Sequence, residues 1–289
     1  MDAQTWGADV SVPKRPVLRY HGGKWVLSPW IIAHFPEHRL YVEPFCGAAS
    51  VLLRKPRAYA EVINDTDKHV VNLFRILRDT EQAQELRRLL ELTPFARDEF
   101  NLSYEHTEDN VETARRLIVR SFMGFGGATH NVYRKTGFNY NCNRGGPIHA
   151  QDWANYPRSL DAVTERLRGV VIENRNAIDV IRSQDGPQTL HYVDPPYVHA
   201  SRAKGQQKNY TNEMTDDHHR DLASVLHACS GMVLLSGYTS ELYSEIYAGW
   251  NVIKKSTYAD GAKYRTECLW FNAAAWNKSP QIRLELDVA

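Results

Sequence analysis

Along the chain, short apolar runs return at intervals that leave room for a helix between them. They are LYVEP (40–44), AEVIND (60–65), GVVIEN (169–174), TLHYVDP (189–195), GMVLLSG (231–237), WNVIKKS (250–256) and TECLWFN (266–272). Several are rich in Val, Ile and Leu without strict alternation, the pattern of strands covered on both faces. Between them, DKHVVNLFRILRD (67–79) repeats apolar residues at helical spacing, and TDDHHRDLASVLHACS (215–230) opens on Thr and acids as a helix N-terminus does. Strands alternating with such helices predict a doubly wound α/β sheet whose helices are crossovers.

The alternation breaks between about Thr80 and Pro157, where a helical stretch leads into FMGFGGATHNVYRKTGFNYNCNRGG, rich in Gly, Asn and aromatics. We read residues 80–157 as an inserted, mostly helical second domain, with 1–79 and 158–289 forming the body. Inside the insert, NVYRKTGFNYN sets aromatics on either side of Lys135, Thr136 and Gly137, the turn chemistry of a β-hairpin.

Composition narrows the class. The 289 residues with 43% hydrophobic content are ample for a sizeable core. Cys46, Cys142, Cys229 and Cys268 lie far apart with no C-x-x-C pair, which argues against a disulfide framework and a zinc site and fits a reducing cytoplasm. There is no run of about 18 apolar residues and no basic-then-apolar leader, so neither membrane nor export is expected. The net charge is +1, but between Thr113 and Arg158 seven basic residues (Arg115, Arg116, Arg120, Arg134, Lys135, Arg144, Arg158) face one acid, Asp152. That surplus of six leaves the other 28 basic and 33 acidic residues at −5. The asymmetry suits a region made for a polyanion; a solvated basic face would read the same way.

Three stretches carry chemistry. YVEPFCGAAS (Tyr41–Ser50) ends a strand on Glu43, then passes through Phe45, Gly47 and small residues into a helix, so backbone N–H groups can approach a nucleoside. A close-packed turn is the alternative for that stretch alone. Asp65 follows Glu43 by 22 residues at the end of the next strand, where Rossmann-like sheets hold ribose hydroxyls. RYHGGKW (19–25) lacks the spacing of a P-loop. Its glycines, Gly23 among them, let the chain pass close to a ligand while Lys24 supplies a cation for a carboxylate, or they form a plain loop before a helix. In YVDPPY, two prolines fix the backbone after Asp194, so that the Asp194 carboxylate and the Pro195 carbonyl are adjacent acceptors. Tyr197, beyond Pro196, offers a face for a planar ring. The exocyclic amine of a nucleobase meets both requirements.

In order and content these stretches resemble the Dam-type DNA adenine-N6 methyltransferases, the α class of S-adenosylmethionine-dependent amino-methyltransferases, from about Leu18 to Asn272. The resemblance implies a Rossmann-like methyltransferase sheet with an inserted target-recognition domain carrying a hairpin. It implies that S-adenosylmethionine is the cofactor and duplex DNA with a flipped adenine the partner, in a cytoplasmic monomer or weak dimer that uses no metal. By the same resemblance, Tyr20 and Lys24 line the methionine end of the cofactor, Asp65 holds its ribose, and Asn176 in VVIENRNAIDVI lies beside its adenine. Gly23, Glu43, Phe45 and Gly47 belong to the cofactor motifs. Asp194, Pro195, Pro196 and Tyr197 form the catalytic tetrapeptide, with Asp194 and the Pro195 carbonyl receiving the amine. In the insert, Arg134, Lys135 and Arg144 are the leading phosphate contacts and Asn139 a candidate for a base edge.

Two departures from the family pattern matter. Ala49 stands where the first motif usually has its second glycine, so the turn must tolerate a Cβ. GFGGAT (124–129) replaces a Tyr-Asn pair, which leaves fewer side chains for base edges and points to relaxed sequence recognition. His218 and His219, with Asp216 and Asp217, read as a helix N-terminus rather than a metal site, because adjacent helical residues diverge. Nothing marks Cys46 as a nucleophile. Cytosine-N4 or RNA-base methylation and a non-catalytic DNA-binding relative are the alternatives; Asp194 in place of Ser favours adenine, and the intact DPPY favours catalysis.

Overall fold

The computed structural model describes residues 12–126, 135–140, 148–198, 213–259 and 263–282. Its frame is a seven-stranded sheet of β1 (Leu40–Glu43), β2 (Ala60–Asn64), β3 (Val170–Glu173), β4 (Thr189–Val193), β5 (Met232–Gly237), β6 (Asn251–Ala259) and β7 (Lys263–Phe271), in the order β3-β2-β1-β4-β5-β7-β6. β1 to β5 run parallel, while β7 is antiparallel to both β5 and β6. Each of the seven expected strands is present. Hydrophobic periodicity does not report strand direction, so the antiparallel pair at the end of the sheet emerges only from the pairing.

The helices are α1 (Ser28–Ala33), α2 (Ser50–Arg54), α3 (Lys68–Arg78), α4 (Thr80–Leu92), α5 (Arg97–Leu102), α6 (Asn110–Met123), α7 (His149–Asn155), α8 (Leu160–Leu167), α9 (Ala177–Gln184), α10 (Asp216–Ala228), α11 (Glu241–Ile246) and α12 (Ala273–Trp276). Both faces of the sheet are covered, which explains the unbroken apolar runs. On the central strands Leu190, Tyr192 and Leu234 enter one cluster with α3, α6 and α8. Val193, Val233 and Leu235 enter another with α10 and α11.

From β1 the chain steps outward to β2 and β3, then returns to place β4 on the other side of β1 and β5 beyond it. The order therefore reverses between β1 and β4, and their carboxyl ends part there to leave a crevice. Glu43 ends one of these strands and Asp194 follows the other.

Between residues 80 and 157 the described chain carries α4 to α7, and Leu86, Leu90, Phe100, Leu117, Phe122 and Trp153 join the cluster that contains Leu73, Phe74 and Leu77 of α3. Beyond α6, Phe125 N–H donates to the Gly137 carbonyl at 2.8 Å, Asn139 N–H to that of Met123 at 2.8 Å, and Gly124 bridges Phe138 in antiparallel fashion. One arm of the expected hairpin, 131–134, lies outside the described residues; the other pairs with the chain leaving α6.

The basic surplus of this region needs correction. Arg115 is buried between Glu112 at 2.6 Å and Glu99 at 2.8 Å, and Arg116 pairs with Glu112 at 2.7 Å. Arg120 is buried against the Ser103 carbonyl, and burial pulls its guanidinium down to about 10. Three of the seven cations thus hold the helices together. A count that starts at Thr113 omits Glu112, the partner of two of them.

Candidate active site

The crevice is built from loops that follow β1, β2 and β4. After Glu43 the chain turns through Gly47 at φ 46° and Ala49 at φ 49°, the one non-glycine among the described residues with positive φ. A left-handed Ala costs about 1–2 kcal/mol relative to the right-handed form, so the turn accepts its Cβ under strain. What holds it is a set of backbone and carboxylate bonds. Gly47 N–H donates to Asp65 Oδ2 at 2.9 Å, Asp67 N–H to Asp65 Oδ1 at 2.8 Å, and Cys46 N–H to the Asn64 carbonyl at 2.9 Å. A Cβ on Gly47 would lie 2.9 Å from Tyr20 Cε1, so the loop can approach that ring only as glycine. Asn64, which carried no signal in the sequence, stitches the neighbouring loops by donating to the carbonyls of Pro44 at 2.9 Å and Arg175 at 3.1 Å.

Glu43 is buried; its Oε2 accepts from Tyr41 Oη–H at 2.9 Å and from Leu52 N–H at 3.2 Å. Burial pushes its carboxyl up to about 8, so it is mainly neutral at pH 7. Burial likewise raises Asp65 to about 6, against the pull of the backbone N–H groups that bind it.

The turn after β4 carries a tighter cluster. Lys24 Nζ lies 2.9 Å from Asp194 Oδ2 and 3.9 Å from Glu267 Oε1, and it sits 4.8 Å from the centre of the Tyr197 ring. Tyr197 Oη–H donates to Glu267 Oε1, which also accepts from Ser236 Oγ–H at 3.2 Å. Burial pushes the Asp194 carboxyl up, while Lys24 and the Tyr197 hydroxyl hold it back. Its Oδ1 is buried without a hydrogen-bond partner among the described residues.

Two sequence expectations change in detail here. Lys24, expected to meet a ligand carboxylate, is engaged with Asp194 and with the Gly22 carbonyl at 2.9 Å. Tyr197, expected to offer an open face, is only 8% exposed, with Lys24 over its ring and Tyr238 edge-on at 4.5 Å. Its hydroxyl is drawn inward by Glu267, and a stacking partner must displace Lys24 or use the opposite face.

A cavity of about 300 Å³ opens between these loops. Tyr20, Gly23, Lys24, Glu43, Phe45, Gly47, Asp65, Asn176 and Asp194 all line it, as does Pro196, whereas Pro195 and Tyr197 are not among its lining residues. Asn176 also caps α9 by accepting from Ile178 N–H at 2.9 Å. Among the described residues, six carboxyl groups (Glu43, Asp65, Asp67, Asp194, Glu213, Asp221) border the cavity against one ammonium, Lys24, and even with Glu43 mainly neutral the lining suits a cationic ligand.

Residues 20–259 match the family model of the D12 class N6 adenine-specific DNA methyltransferases. The chain belongs to that family. It is 25% identical over 245 residues to the DNA adenine methylase of Serratia marcescens, covering 81% of this chain and 87% of that one. It is 26% identical over 259 residues to that of Vibrio cholerae serotype O1 (83% and 88%) and 25% over 246 residues to that of Escherichia coli K12 (81% and 84%). Among solved structures, precorrin 8w decarboxylase of Methanobacterium thermoautotrophicum superposes with a TM-score of 0.32 at 9% identity, covering 86% of this chain and 89% of that one, a likeness too weak to carry an argument.

The D12 methyltransferase thus transfers a methyl group to adenine N6 in DNA. Of its expected DNA contacts, Lys135 is exposed, 5.5 Å from the Tyr104 ring centre, and Asn139 has its amide nitrogen 3.1 Å from His149 Nε2. Arg134 and Arg144 lie outside the described residues. Sequence reasoning passed over four carboxyl groups at or beside the cavity. Asp67 caps α3 and lines the cavity, Glu213 just before α10 and Asp221 within it line it as well, and Glu267, outside the lining, accepts from the Tyr197 hydroxyl. Only Asp67 had a signal, its place in INDTD. His218 closes a capping box with Thr215, as the helix N-terminus reading expects, and it also borders the cavity. Toward the amino-terminal ends of β4 and β5, Asp185, His191 and Cys229 bring their ligand atoms within 4.8 Å of one another. There the Asp185 carboxylate is occupied by Ser230 N–H at 2.8 Å, Ser230 Oγ–H at 2.9 Å and Gly231 N–H at 3.0 Å, as a loop anchor would be. No described helix is long and apolar enough to cross a membrane.

Proposed function

We propose that the cavity between β1 and β4 binds S-adenosylmethionine, and that Asp194 with the Pro195 carbonyl receives the amine of an adenine turned out of the DNA duplex. The observation that carries this reading is Asp194 itself: a carboxylate on the cavity wall with one oxygen held by Lys24 and the other buried without a hydrogen-bond partner among the described residues. A spare acceptor there suits a ligand that donates N–H. The acidic lining fits a cofactor bearing a sulfonium and an ammonium. When bound, that cofactor supplies the electrophilic methyl group.

Adenine N6 is a weak nucleophile because its lone pair is delocalised into the ring. By accepting its N–H groups, Asp194 and the Pro195 carbonyl favour a tetrahedral nitrogen with a localised lone pair, and the double proline keeps the two acceptors in register. Asp65, with Asp67 beside it, accepts from the ribose hydroxyls; Asn176 lies toward the cofactor's adenine, and Tyr20 and Gly23 toward its methionine end. Flipping the base costs a few kcal/mol, offset by phosphate contacts from a target-recognition unit at residues 80–157. Lys135 leads the described contacts, and Arg134 and Arg144 are its expected neighbours. In that unit the glycine-rich GFGGAT offers few side chains to base edges, so recognition is relaxed and leans on backbone and groove shape.

Asp194→Ala is expected to slow methyl transfer by roughly 10³-fold, with S-adenosylmethionine and DNA affinities held within a few-fold by calorimetry and anisotropy. Near wild-type turnover would remove Asp194 from the chemistry. Run on a random-sequence duplex pool with base-resolution mapping, the same assay tests relaxed recognition, which a single fixed context overturns.

A further inference from the structure

β7 raises a question that the reading above does not answer. Its segment Glu267 to Phe271 is buried, and after Glu267 come Cys268, Leu269, Trp270 and Phe271, all built into the core. A carboxylate in such a place costs several kcal/mol of desolvation unless charges and donors surround it. Packing gives no reason for it: Glu267 is 2% exposed and lies outside the cavity lining. Its partners do. One oxygen, Oε1, accepts from the Tyr197 hydroxyl and from Ser236 Oγ–H at 3.2 Å and faces Lys24 Nζ at 3.9 Å. Tyr197 closes the tetrapeptide that Asp194 opens, and Lys24 is the cation on Asp194 Oδ2.

We propose that Glu267 is a positioning residue for methyl transfer, its buried oxygen tying the Tyr197 hydroxyl and the Lys24 ammonium into one frame that aims Asp194 and shares Lys24 with it. The inference rests on the reading of Asp194 as the acceptor of the target amine. Two consequences follow from the geometry. Fixing Tyr197 at its hydroxyl holds the end of the tetrapeptide, so the backbone of Pro195 and Pro196 is clamped from both sides. Sharing Lys24 between two carboxylates keeps it from being spent wholly on Asp194, which leaves Asp194 a stronger acceptor. A neutral residue at 267 that still accepts a hydrogen bond retains the first function and loses the second.

The test uses the full-length protein with S-adenosylmethionine and an adenine-containing duplex under single-turnover conditions. Glu267→Gln is expected to slow the methyl-transfer step roughly 10-fold or more, since small misplacements at a reacting centre reach about 100-fold, while cofactor affinity without DNA and the unfolding midpoint stay near wild type. Tyr197→Phe, which removes the first function and leaves the second, is expected to slow the step as well, and Glu267→Ala, which removes both, to be slower than Glu267→Gln and no slower still when combined with Tyr197→Phe. A wild-type rate for Glu267→Gln, additive losses when Tyr197→Phe is combined with Glu267→Ala, or a rate loss that follows cofactor affinity and unfolding midpoint downward would each overturn the proposal. Asp194→Ala separates the two levels: if it turns over, the reading of Asp194 fails, and if it is inactive while Glu267→Gln is unimpaired, only the role of Glu267 fails.

Discussion

Glu43 illustrates how one residue can serve the site at the expense of the fold. Its carboxyl has been pushed from 4.5 to about 8 by burial, so the folded chain keeps a proton that the unfolded chain releases near pH 4.5. The stability that this proton contributes is complete below pH 4.5 and is lost as pH rises toward 8. Glu43→Gln keeps an oxygen for the Tyr41 hydroxyl and the Leu52 amide without the charge. The variant is expected to gain stability over wild type by up to about 1.4 kcal/mol per pH unit across that window. Chemical denaturation at pH 5 and pH 8 checks this, and an equal difference at both pH values would contradict it. Ala49 shows the same trade in the backbone, a strained residue kept in a turn whose other contacts over-determine it.

Among elements, α10 joins the fold to the site through its cap. Thr215 Oγ accepts from His218 N–H at 3.3 Å, and His218 Nδ1 accepts from Thr215 N–H at 3.2 Å, so the cap fixes a ring that borders the cavity. Thr215→Ala is expected to cost about 1 kcal/mol of stability and to weaken cofactor binding at the same time; denaturant midpoints and calorimetry measure the two. All seven strands are legible in the sequence because two-sided burial writes them as apolar runs bounded by turns. The residues of the first motif, Asp65 and the DPPY turn are legible because each sits just past such a run. Asn64 and Glu267 are not, for a polar residue within or beside a strand looks the same whether it faces solvent or anchors a loop. His218 shows a further limit: periodicity places it correctly on a helix but does not say what lies opposite that turn.

In the whole molecule, charge separates into structural and exposed parts. Arg115 is held by Glu112, Glu99 and Thr93, so Arg115→Ala is expected to destabilise the protein by about 2–3 kcal/mol without changing the salt dependence of DNA binding. Lys135→Ala is expected to lower the salt slope by about one, with little effect on folding. Titrations at several ionic strengths distinguish these outcomes, and equal slopes for the two variants would refute the division. The site itself needs distant parts of the chain: Lys24, Asp194 and Glu267 come from before β1, after β4 and within β7.

The stretch that leads to Tyr20 is fastened to the helical region rather than strung past it. Arg19 exchanges two hydrogen bonds with Ser121 of α6, its N–H donating at 2.6 Å and its carbonyl accepting at 3.1 Å, and its guanidinium meets Asp152 of α7 at 2.6 Å, where Arg15 also binds at 3.0 Å. One residue later, Tyr20 is in the cavity wall. A tilt of α6 is therefore carried to the cavity wall through a strut one residue long. By thermodynamic reciprocity, whatever DNA does to the pocket through that strut the occupied pocket must do to DNA affinity in equal measure.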